Sequence, residues 1–179
     1  MAALFFDIDD TLIGGLTGTI PESALEALKK VKEQGHEIFI NTGRTICSIP
    51  AMIKNLDFDG YLCGCGTYLV YKQEVLMESH IPYERGVRYI EAMEQYRVEG
   101  FLEGTEDIYF SERISRFEPV ESTKRYMASM GLGTEKTIEK KNFQYDKILV
   151  LTDKHCETEK FFALSLIHIS EPTRPLYIS

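Results

Sequence analysis

The sequence predicts an α/β fold in which a partial, Rossmann-like parallel sheet is followed by an inserted α+β unit. Short apolar runs at residues 3–6, 37–41 and 60–63 alternate with helical patterns, and this β-α-β-α-β order predicts parallel strands joined by right-handed crossovers. After residue 80 the alternation gives way to short strand-like pieces and helices, which predicts a second unit of different topology.

The first strand is predicted at residues 3–6, where a continuous apolar run indicates burial on both faces. A helix should follow from Pro21 to about Gly35, because proline is favoured in the first turn of a helix and glycine just past its end. Its apolar residues recur at helical spacing, at Leu25, Leu28 and Val31.

The second and third strands are predicted at 37–41 and 60–63, with a segment between them that is broken by Pro50 and helical through Leu56. In open parallel sheets, ligands bind beyond the carboxyl ends of the strands. Three segments lie at the carboxyl ends of these strands, at residues 7–11, 42–44 and 63–67. We expect these segments to converge on one crevice.

The pattern changes after the third strand. Residues 67–71 and 75–79 are predicted to form a hairpin that turns through 72–74. Further on, the patterns predict a helix at 87–96, strands at 100–104 and 107–111, a helix near 122–130 and a strand at 147–151. The predicted division is 1–80 for the first unit, 81–163 for the inserted unit and 164–179 for a tail.

Composition and charge narrow the choice of partners. The 179 residues carry 20 Lys and Arg against 28 Asp and Glu, a net charge of -8, which argues against nucleic acid and anionic membranes. A phosphorylated small molecule would need a local cation. The four cysteines have neither zinc-site nor secreted-framework spacing, and no apolar run approaches a membrane span. We expect a cytoplasmic protein, and the oligomeric state is left open.

Three carboxylates, those of Asp7, Asp9 and Asp10, directly follow the first predicted strand. A turn or a helix cap needs only one carboxylate, whereas two ionised carboxylates in one crevice repel unless a divalent cation binds or one pKa rises. A calcium-binding EF-hand loop would need Gly and Glu at positions where the sequence has Leu12 and Gly18. The cluster therefore favours another kind of cation site.

The spacing Asp7-x-Asp9-x-Thr11 after a buried strand, with Thr-Gly-Arg after the next strand, resembles the haloacid dehalogenase-like hydrolase superfamily. FFDIDDTL matches its first motif, DxDxT, and INTGR matches its second. The inserted unit resembles the type IIB cap of the Cof-type branch, and the likeness covers about residues 3–163. Cys65-Gly66 is a departure, because Cof-type members usually carry Asn-Gly there.

The resemblance implies a Mg²⁺-dependent phosphatase of small phosphorylated metabolites such as sugar phosphates. It assigns Asp7 as the nucleophile that forms an aspartyl-phosphate and Asp9 as the general acid and base. The Asp7 carboxylate and the Asp9 carbonyl would be metal ligands. Thr42 and the Gly43 amide would contact a phosphoryl oxygen. Arg44 could contact substrate or pair with an acidic neighbour.

Other parts of the family pattern are absent from the sequence. Neither the late lysine nor a Gly-Asp-x-x-x-Asp motif is found, and Asp153 lacks the flanking residues of that motif. LSLIHISEPTR, residues 164–174, resembles a translated sequencing adapter and is expected to interrupt the helix begun by CETEKFFA. The expected consequence is an enzyme truncated near Ala163 and inactive as this chain; a genuine divergent C-terminus is the alternative. Asp10 is expected to face solvent or cap its loop.

Three further functions remain as alternatives. A phosphomutase of the same superfamily would use the same nucleophile. A phospho-acceptor signalling domain also places an acidic pair after its first strand, but it needs an acceptor Asp at the end of the third strand, where this sequence has Cys63. A non-catalytic phosphate-binding fragment is the third.

Overall fold

The computed structural model describes residues 1–14 and 18–167. Its first part contains the alternation of strands and helices that the apolar runs predict. The elements are strand β1 (Ala3–Phe6), helix α1 (Glu22–Glu33), strand β2 (Glu37–Asn41), a 3₁₀ turn (Ile46–Ser48), helix α2 (Ala51–Lys54), and strands β3 (Gly60–Cys63), β4 (Tyr68–Tyr71) and β5 (Glu74–Glu78).

These five strands form one sheet in the order β1-β2-β3-β4-β5. The first three pair in parallel, with Phe6 opposite Ile40 and Asn41 opposite Leu62, which confirms the predicted parallel sheet. The β4–β5 hairpin is antiparallel and turns through Lys72 and Gln73, both in the left-handed region with φ of 46° and 70°. Two consecutive positive φ values give the turn the twist that a tight hairpin needs.

A second, three-stranded antiparallel sheet follows in the order β7-β6-β8. Its elements are helix α3 (Tyr83–Gln95), strands β6 (Glu99–Glu103) and β7 (Ile108–Tyr109), helix α4 (Glu118–Ser129), strand β8 (Lys147–Leu151) and helix α5 (Thr158–Ile167). Helices α3 and α4 begin earlier than predicted, because Pro82 and Pro119 stand at their starts, where proline costs no hydrogen bond. The unit boundary at residue 80 remains a prediction.

The core of the first sheet lies on one of its two faces. A buried apolar cluster on that face comprises Ile8, Leu12, Leu28, Ile38, Ile40, Ile49, Ile53 and Cys63. On the other face Phe5, Phe39 and Tyr71 stack across the strands, with ring centroids 5.0 and 5.8 Å apart. The expectation that β1 is buried on both faces is wrong, because β1 is an edge strand here and Phe5 is 53% exposed.

Two helix predictions also differ from the structure. The segment after β2 is a 3₁₀ turn followed by a helix that ends at Lys54 rather than Leu56. Helix α5 continues past Ala163 to Ile167, so the expected interruption there is wrong, since Ser, Leu and Ile can all continue a helix and neither Gly nor Pro intervenes. The rest of the predicted foreign tail, residues 168–179, lies outside the described residues.

Among the helices of the described part, none combines the length and apolar composition needed to cross a membrane.

Replacing Ile40 by alanine should lower the free energy of unfolding by about 2–5 kcal/mol, because Ile40 is fully buried in the central cluster. Urea unfolding followed by circular dichroism measures this. The matched control is Leu76→Ala on β5, where the side chain is 53% exposed and the loss should be within about 0.5 kcal/mol. Equal losses at the two sites would contradict the placement of the core.

Candidate active site

Three loops meet at the carboxyl edge of the parallel strands. The loop after β1 carries Asp7 and Asp9, the loop after β2 runs from Thr42 to Arg44, and a third follows β3. The Gly64 amide donates to the Arg44 carbonyl at 2.7 Å, and the Arg44 guanidinium contacts Asp9. The structure therefore brings the predicted site segments together as the parallel topology requires.

The acidic loop is held by the residue between its two candidate catalytic carboxylates. Ile8 is fully buried, and its carbonyl accepts from the amides of Leu12 and Ile13 at 3.1 and 2.9 Å. Asp7, Asp9 and Asp10 are all exposed. Asp10 has a φ of 57°, a left-handed conformation that asparagine, aspartate and glycine adopt most readily. Exposure fits the expectation that Asp10 faces solvent.

Asp7 stands apart from the local salt bridges. Within the described residues, no hydrogen bond or ion pair engages its carboxylate. An exposed, unpaired carboxylate beside a buried strand keeps its lone pairs available to a ligand or to an electrophile. This is the state that a nucleophile or a metal ligand requires.

Asp9, by contrast, is held by Arg44. The Arg44 Nε and a terminal guanidinium nitrogen donate to the two Asp9 carboxylate oxygens at 2.9 and 2.8 Å. The other terminal nitrogen donates to the Ser48 carbonyl at 3.2 Å. The hydrogen bond from Arg44 lowers the pKa of Asp9, and the same bond raises the pKa of Arg44. Of the two roles that the sequence left open for Arg44, this structure shows the acidic pairing.

Thr42 and Gly43 lie on the neighbouring loop. Thr42 is 5% exposed, and its hydroxyl oxygen accepts from the Arg44 amide at 3.2 Å, which leaves the hydroxyl proton free to donate. The Thr42 amide continues the sheet by donating to the Leu62 carbonyl at 2.9 Å. Gly43 is exposed, and the Cys65 sulfur lies 4.0 Å from its carbonyl oxygen.

The second sheet also reaches this edge. The Lys147 ammonium donates to the Gly43 carbonyl oxygen at 2.5 Å. The same nitrogen lies 2.7 Å from Oε2 of Glu103, the residue directly opposite Lys147 in the β6–β8 pairing. Glu103 is 5% exposed. Burial raises the pKa of Glu103, and the charge of Lys147 opposes that rise. Two ionisable side chains of the second sheet thus lie over the loop that carries Thr42, Gly43 and Arg44.

Two more contacts join the second sheet to the first unit. The Cys47 thiol donates to the Gly104 carbonyl at 3.2 Å, and the Thr105 hydroxyl donates to Glu78 at 3.2 Å. Burial raises the pKa of the Cys47 thiol, and that of Cys63 to about 12. Both thiols are therefore protonated near neutral pH and are poor nucleophiles.

Glu103, Lys147 and Tyr126 were missed by reasoning from the sequence. Asp9 is the main cause of the raised pKa of Arg44, and Tyr126 of α4 contributes to it. In the sequence, each of the three is an ordinary polar residue of a strand or a helix, and no motif or characteristic spacing marks it as part of a site. Only the packing of the second sheet against the first brings them to the crevice.

Two oxygen donors at this edge of the sheet are suitable ligands for a hard cation such as Mg²⁺, but two donors are too few to fill its coordination shell. The Asp7 carboxylate and the Asp9 carbonyl are of the type that Mg²⁺ prefers, and Mg²⁺ commonly uses one or two carboxylates together with water and substrate phosphate. In residues 1–14 and 18–167, no group of three His, Cys, Asp or Glu side chains is arranged to hold a metal ion. These two donors would therefore depend on water, on the substrate and on further ligands.

Comparison with known proteins identifies relatives of the whole fold. A family model described as haloacid dehalogenase-like hydrolase matches residues 4–168. A solved structure of the HAD subclass IIB sugar phosphatase BT4131 is 27% identical, with a TM-score of 0.70 over 94% of this chain and 64% of that one.

Two curated relatives match shorter stretches. The pyridoxal phosphate phosphatase YbhA of Escherichia coli (strain K12) is 29% identical over 99 residues, which are 54% of this chain and 36% of YbhA. YkrA of Bacillus subtilis (strain 168) is 28% identical over 85 residues, 48% of this chain and 32% of YkrA. The match therefore spans about a third of the length of each curated relative.

Replacing Arg44 by methionine should raise the pKa of Asp9 towards the ordinary aspartate range, because the hydrogen bond from Arg44 is the main cause of its lowering. The carboxyl ¹³C shift followed against pH measures this. A carboxyl group with a lowered pKa in the folded state stabilises the fold above its unfolded-state pKa, and this stabilisation is lost as the pH falls through the folded-state pKa. Because Arg44→Met removes most of this contribution, the free energy of unfolding of the variant should decrease less on acidification.

The control for this variant is Arg113→Met, which breaks an exposed ion pair with Glu94 away from the site. It should leave the Asp9 titration unchanged. An Asp9 pKa that does not move in Arg44→Met would show that another group holds the carboxylate ionised.

Proposed function

We propose that this chain, which belongs to the haloacid dehalogenase-like hydrolase family, carries the phosphoryl-transfer residues of a phosphatase for small phosphorylated metabolites. The observation that supports this most is the unpaired Asp7 carboxylate at the edge of a parallel sheet, beside Asp9 and the Thr42–Arg44 loop. The likeness to a sugar phosphatase and to a pyridoxal phosphate phosphatase supports phosphate esters as the substrate class.

In the proposed reaction an Asp7 carboxylate oxygen attacks phosphorus. The new oxygen–phosphorus bond forms while the bond from phosphorus to the ester oxygen breaks, and Asp9 gives its proton to the departing oxygen. Asp9 then takes a proton from water as that water attacks the aspartyl-phosphate, which releases phosphate and restores Asp7. Thr42 and the Gly43 amide would donate hydrogen bonds to the phosphoryl oxygens, where negative charge builds up.

The Asp9–Arg44 pair constrains this reaction. An Asp9 carboxylate that accepts both hydrogen bonds from Arg44 is held ionised and cannot act as an acid. We infer that the substrate phosphate competes for Arg44, since a dianion offers the guanidinium more charge than one carboxylate does. Substrate binding would then free Asp9 to take up a proton before transfer.

Magnesium is the proposed cofactor. The Asp7 carboxylate and the Asp9 carbonyl would hold it, and when bound it would offset the charge of the carboxylates and the substrate phosphate together. The proposed localisation is the cytoplasm, which the four free thiols support.

A phosphomutase remains the near alternative, because it would use the same Asp7 chemistry and differ in the acceptor of the phosphoryl group. Transfer between sugar positions with little net hydrolysis would favour it. A phospho-acceptor signalling domain has little support, since the end of β3 carries the buried Cys63 and no aspartate.

In the complete protein encoded by the source gene, Asp7→Asn should abolish hydrolysis of p-nitrophenyl phosphate in the presence of Mg²⁺, a loss of at least about 10³-fold, because an amide cannot attack phosphorus. Phosphate release measured with and without chelator tests this. Asp10→Asn is the matched control and should keep most of the activity. Persistent turnover in Asp7→Asn would refute the nucleophile assignment.

We further expect the 179-residue chain on its own to be inactive towards the same substrate. The lysine and the late acidic motif of the family are not found in its sequence, and its described residues supply no three-ligand metal group. A phosphate-release assay on this chain beside the complete protein decides the question. Turnover above that of the Asp7→Asn variant of the same chain would contradict the expectation.

A further inference from the structure

We propose that Glu78, His80 and Asp146 form a pH-sensitive latch, which holds the second sheet against the first when His80 is protonated and releases it when His80 is neutral. The latch lies outside the residues proposed to carry out the transfer, so it goes beyond the proposed function and would act whatever reaction takes place in this crevice. Its consequence is that the second sheet covers the Thr42–Arg44 loop in mild acid and leaves it as the pH rises.

His80 lies where the chain passes from the first sheet to the second. On one side of it, the Ser79 amide donates to the Thr67 carbonyl at 2.9 Å, beside the β4–β5 hairpin. On the other side, the Ile81 amide donates to the Tyr145 carbonyl at 2.9 Å, just before β8. One sheet can therefore turn relative to the other by rotation about the backbone of His80, without breaking either bond.

Both nitrogens of the His80 ring face carboxylates, one at each sheet. Nδ1 lies 2.6 Å from Oδ1 of Asp146, the residue before β8. Nε2 lies 3.2 Å from Oε1 of Glu78, the last residue of β5. A neutral imidazole carries one proton and donates at one nitrogen, whereas an imidazolium donates at both. Only the protonated ring therefore satisfies both contacts with ionised carboxylates.

Loss of one ring proton to solvent should break the contact with Glu78 and keep that with Asp146. The Asp146 side chain is 1% exposed, against 42% for Glu78. Burial raises the pKa of the Asp146 carboxyl, and the hydrogen bond from His80 opposes that rise, so the buried carboxylate depends more on the ring. Glu78 can turn its charge into water, and that movement would also break its hydrogen bond from the Thr105 hydroxyl in the β6–β7 loop.

The crevice is connected to the latch through β8. Lys147 follows Asp146 directly, and its ammonium donates to the Gly43 carbonyl at 2.5 Å. The Asp146 amide donates to the Glu103 carbonyl at 2.8 Å, and Glu103 is paired with Lys147, so these three residues move as one piece of sheet. Loss of the contacts of Glu78 should therefore loosen this piece from β5 and break the hydrogen bond from Lys147 to Gly43.

Other groups around the latch also respond to pH or charge. They are the Thr67 hydroxyl, the Tyr68 phenol opposite Glu78, Glu103 and Lys147. Burial raises the pKa of Glu103, and the charge of Lys147 opposes that rise, so a test must distinguish titration of Glu103 from that of His80. When His80 is neutral, the negative charges of Glu78 and Asp146 lose the positive charge between them and repel each other.

The test is a pH titration of the 179-residue chain by NMR from about pH 5 to 8, the range in which histidine ordinarily titrates. The carbonyl ¹³C shift of Gly43 reports the hydrogen bond from Lys147, and Lys147→Met gives the shift of the released carbonyl. We expect this shift to change with the same midpoint as the ring shifts of His80, from bonded in acid to released. The ratio of bonded to released forms should fall by about tenfold or more, as expected for loss of a hydrogen bond to a charged group.

Three variants separate the latch from other titrations. His80→Gln removes the titrating ring, so the Gly43 shift should no longer follow pH in this range. In Glu78→Gln the His80 ring still titrates, but an amide can accept from the protonated nitrogen or donate to the neutral one, so the Gly43 shift should stay nearly constant. His155→Gln replaces an exposed histidine before α5 and should leave the transition unchanged.

Thermal unfolding of each variant checks that it is folded. A Gly43 transition that persists in folded His80→Gln would overturn the proposal and assign the change to Glu103 or Asp146. A constant Gly43 shift while the ring of His80 titrates in the unsubstituted chain would overturn it as well. Glu78→Gln, at an exposed position, decides the question if His80→Gln does not fold, since an undiminished transition there would show that the latch does not act through Glu78.

Discussion

The parallel pairing of β1 with β2 and of β2 with β3 is the constraint on which the candidate site depends. Phe6 lies opposite Ile40 and Asn41 opposite Leu62, so the next residues of all three strands emerge at one edge of the sheet. Ile8 is buried beneath that edge and keeps Asp7 and Asp9 outside the core on either side of it. A shift of β1 by one residue would exchange the buried and exposed positions of this loop.

Charge at the crevice is balanced within the protein. Asp9 is paired with Arg44 and Glu103 with Lys147, while Asp7 is free of such contacts among the described residues. The chain has a net charge of -8. An anionic ligand that binds Arg44 or Lys147 must therefore compete with the carboxylate that already pairs with that side chain. The proposed phosphatase would use this competition, because displacement of Arg44 from Asp9 would raise the pKa of Asp9 and favour its protonated form.

Local sequence pattern predicted some elements of both units correctly and missed others in both. The hairpin and the strand at 147–151 follow from short apolar, strand-like runs next to turn residues, and both are present. The exposure of Phe5 could not be foreseen, because a continuous apolar run does not say whether its strand lies at the edge of the sheet. The early starts of α3 and α4 were marked in the sequence by Pro82 and Pro119, a local signal that apolar spacing alone overlooked.

By itself the sequence determined the order of the elements, the parallel sheet and the place of Asp7, Asp9, Thr42, Gly43 and Arg44 at its edge, because each depends on short-range periodicity and on the end of a strand. Tertiary structure decided the pairing of Arg44 with Asp9 and the approach of Lys147 to Gly43, which join residues 35 and 104 positions apart. Contacts over such separations depend on how packed elements meet, and neither residue carries a local pattern that records its partner.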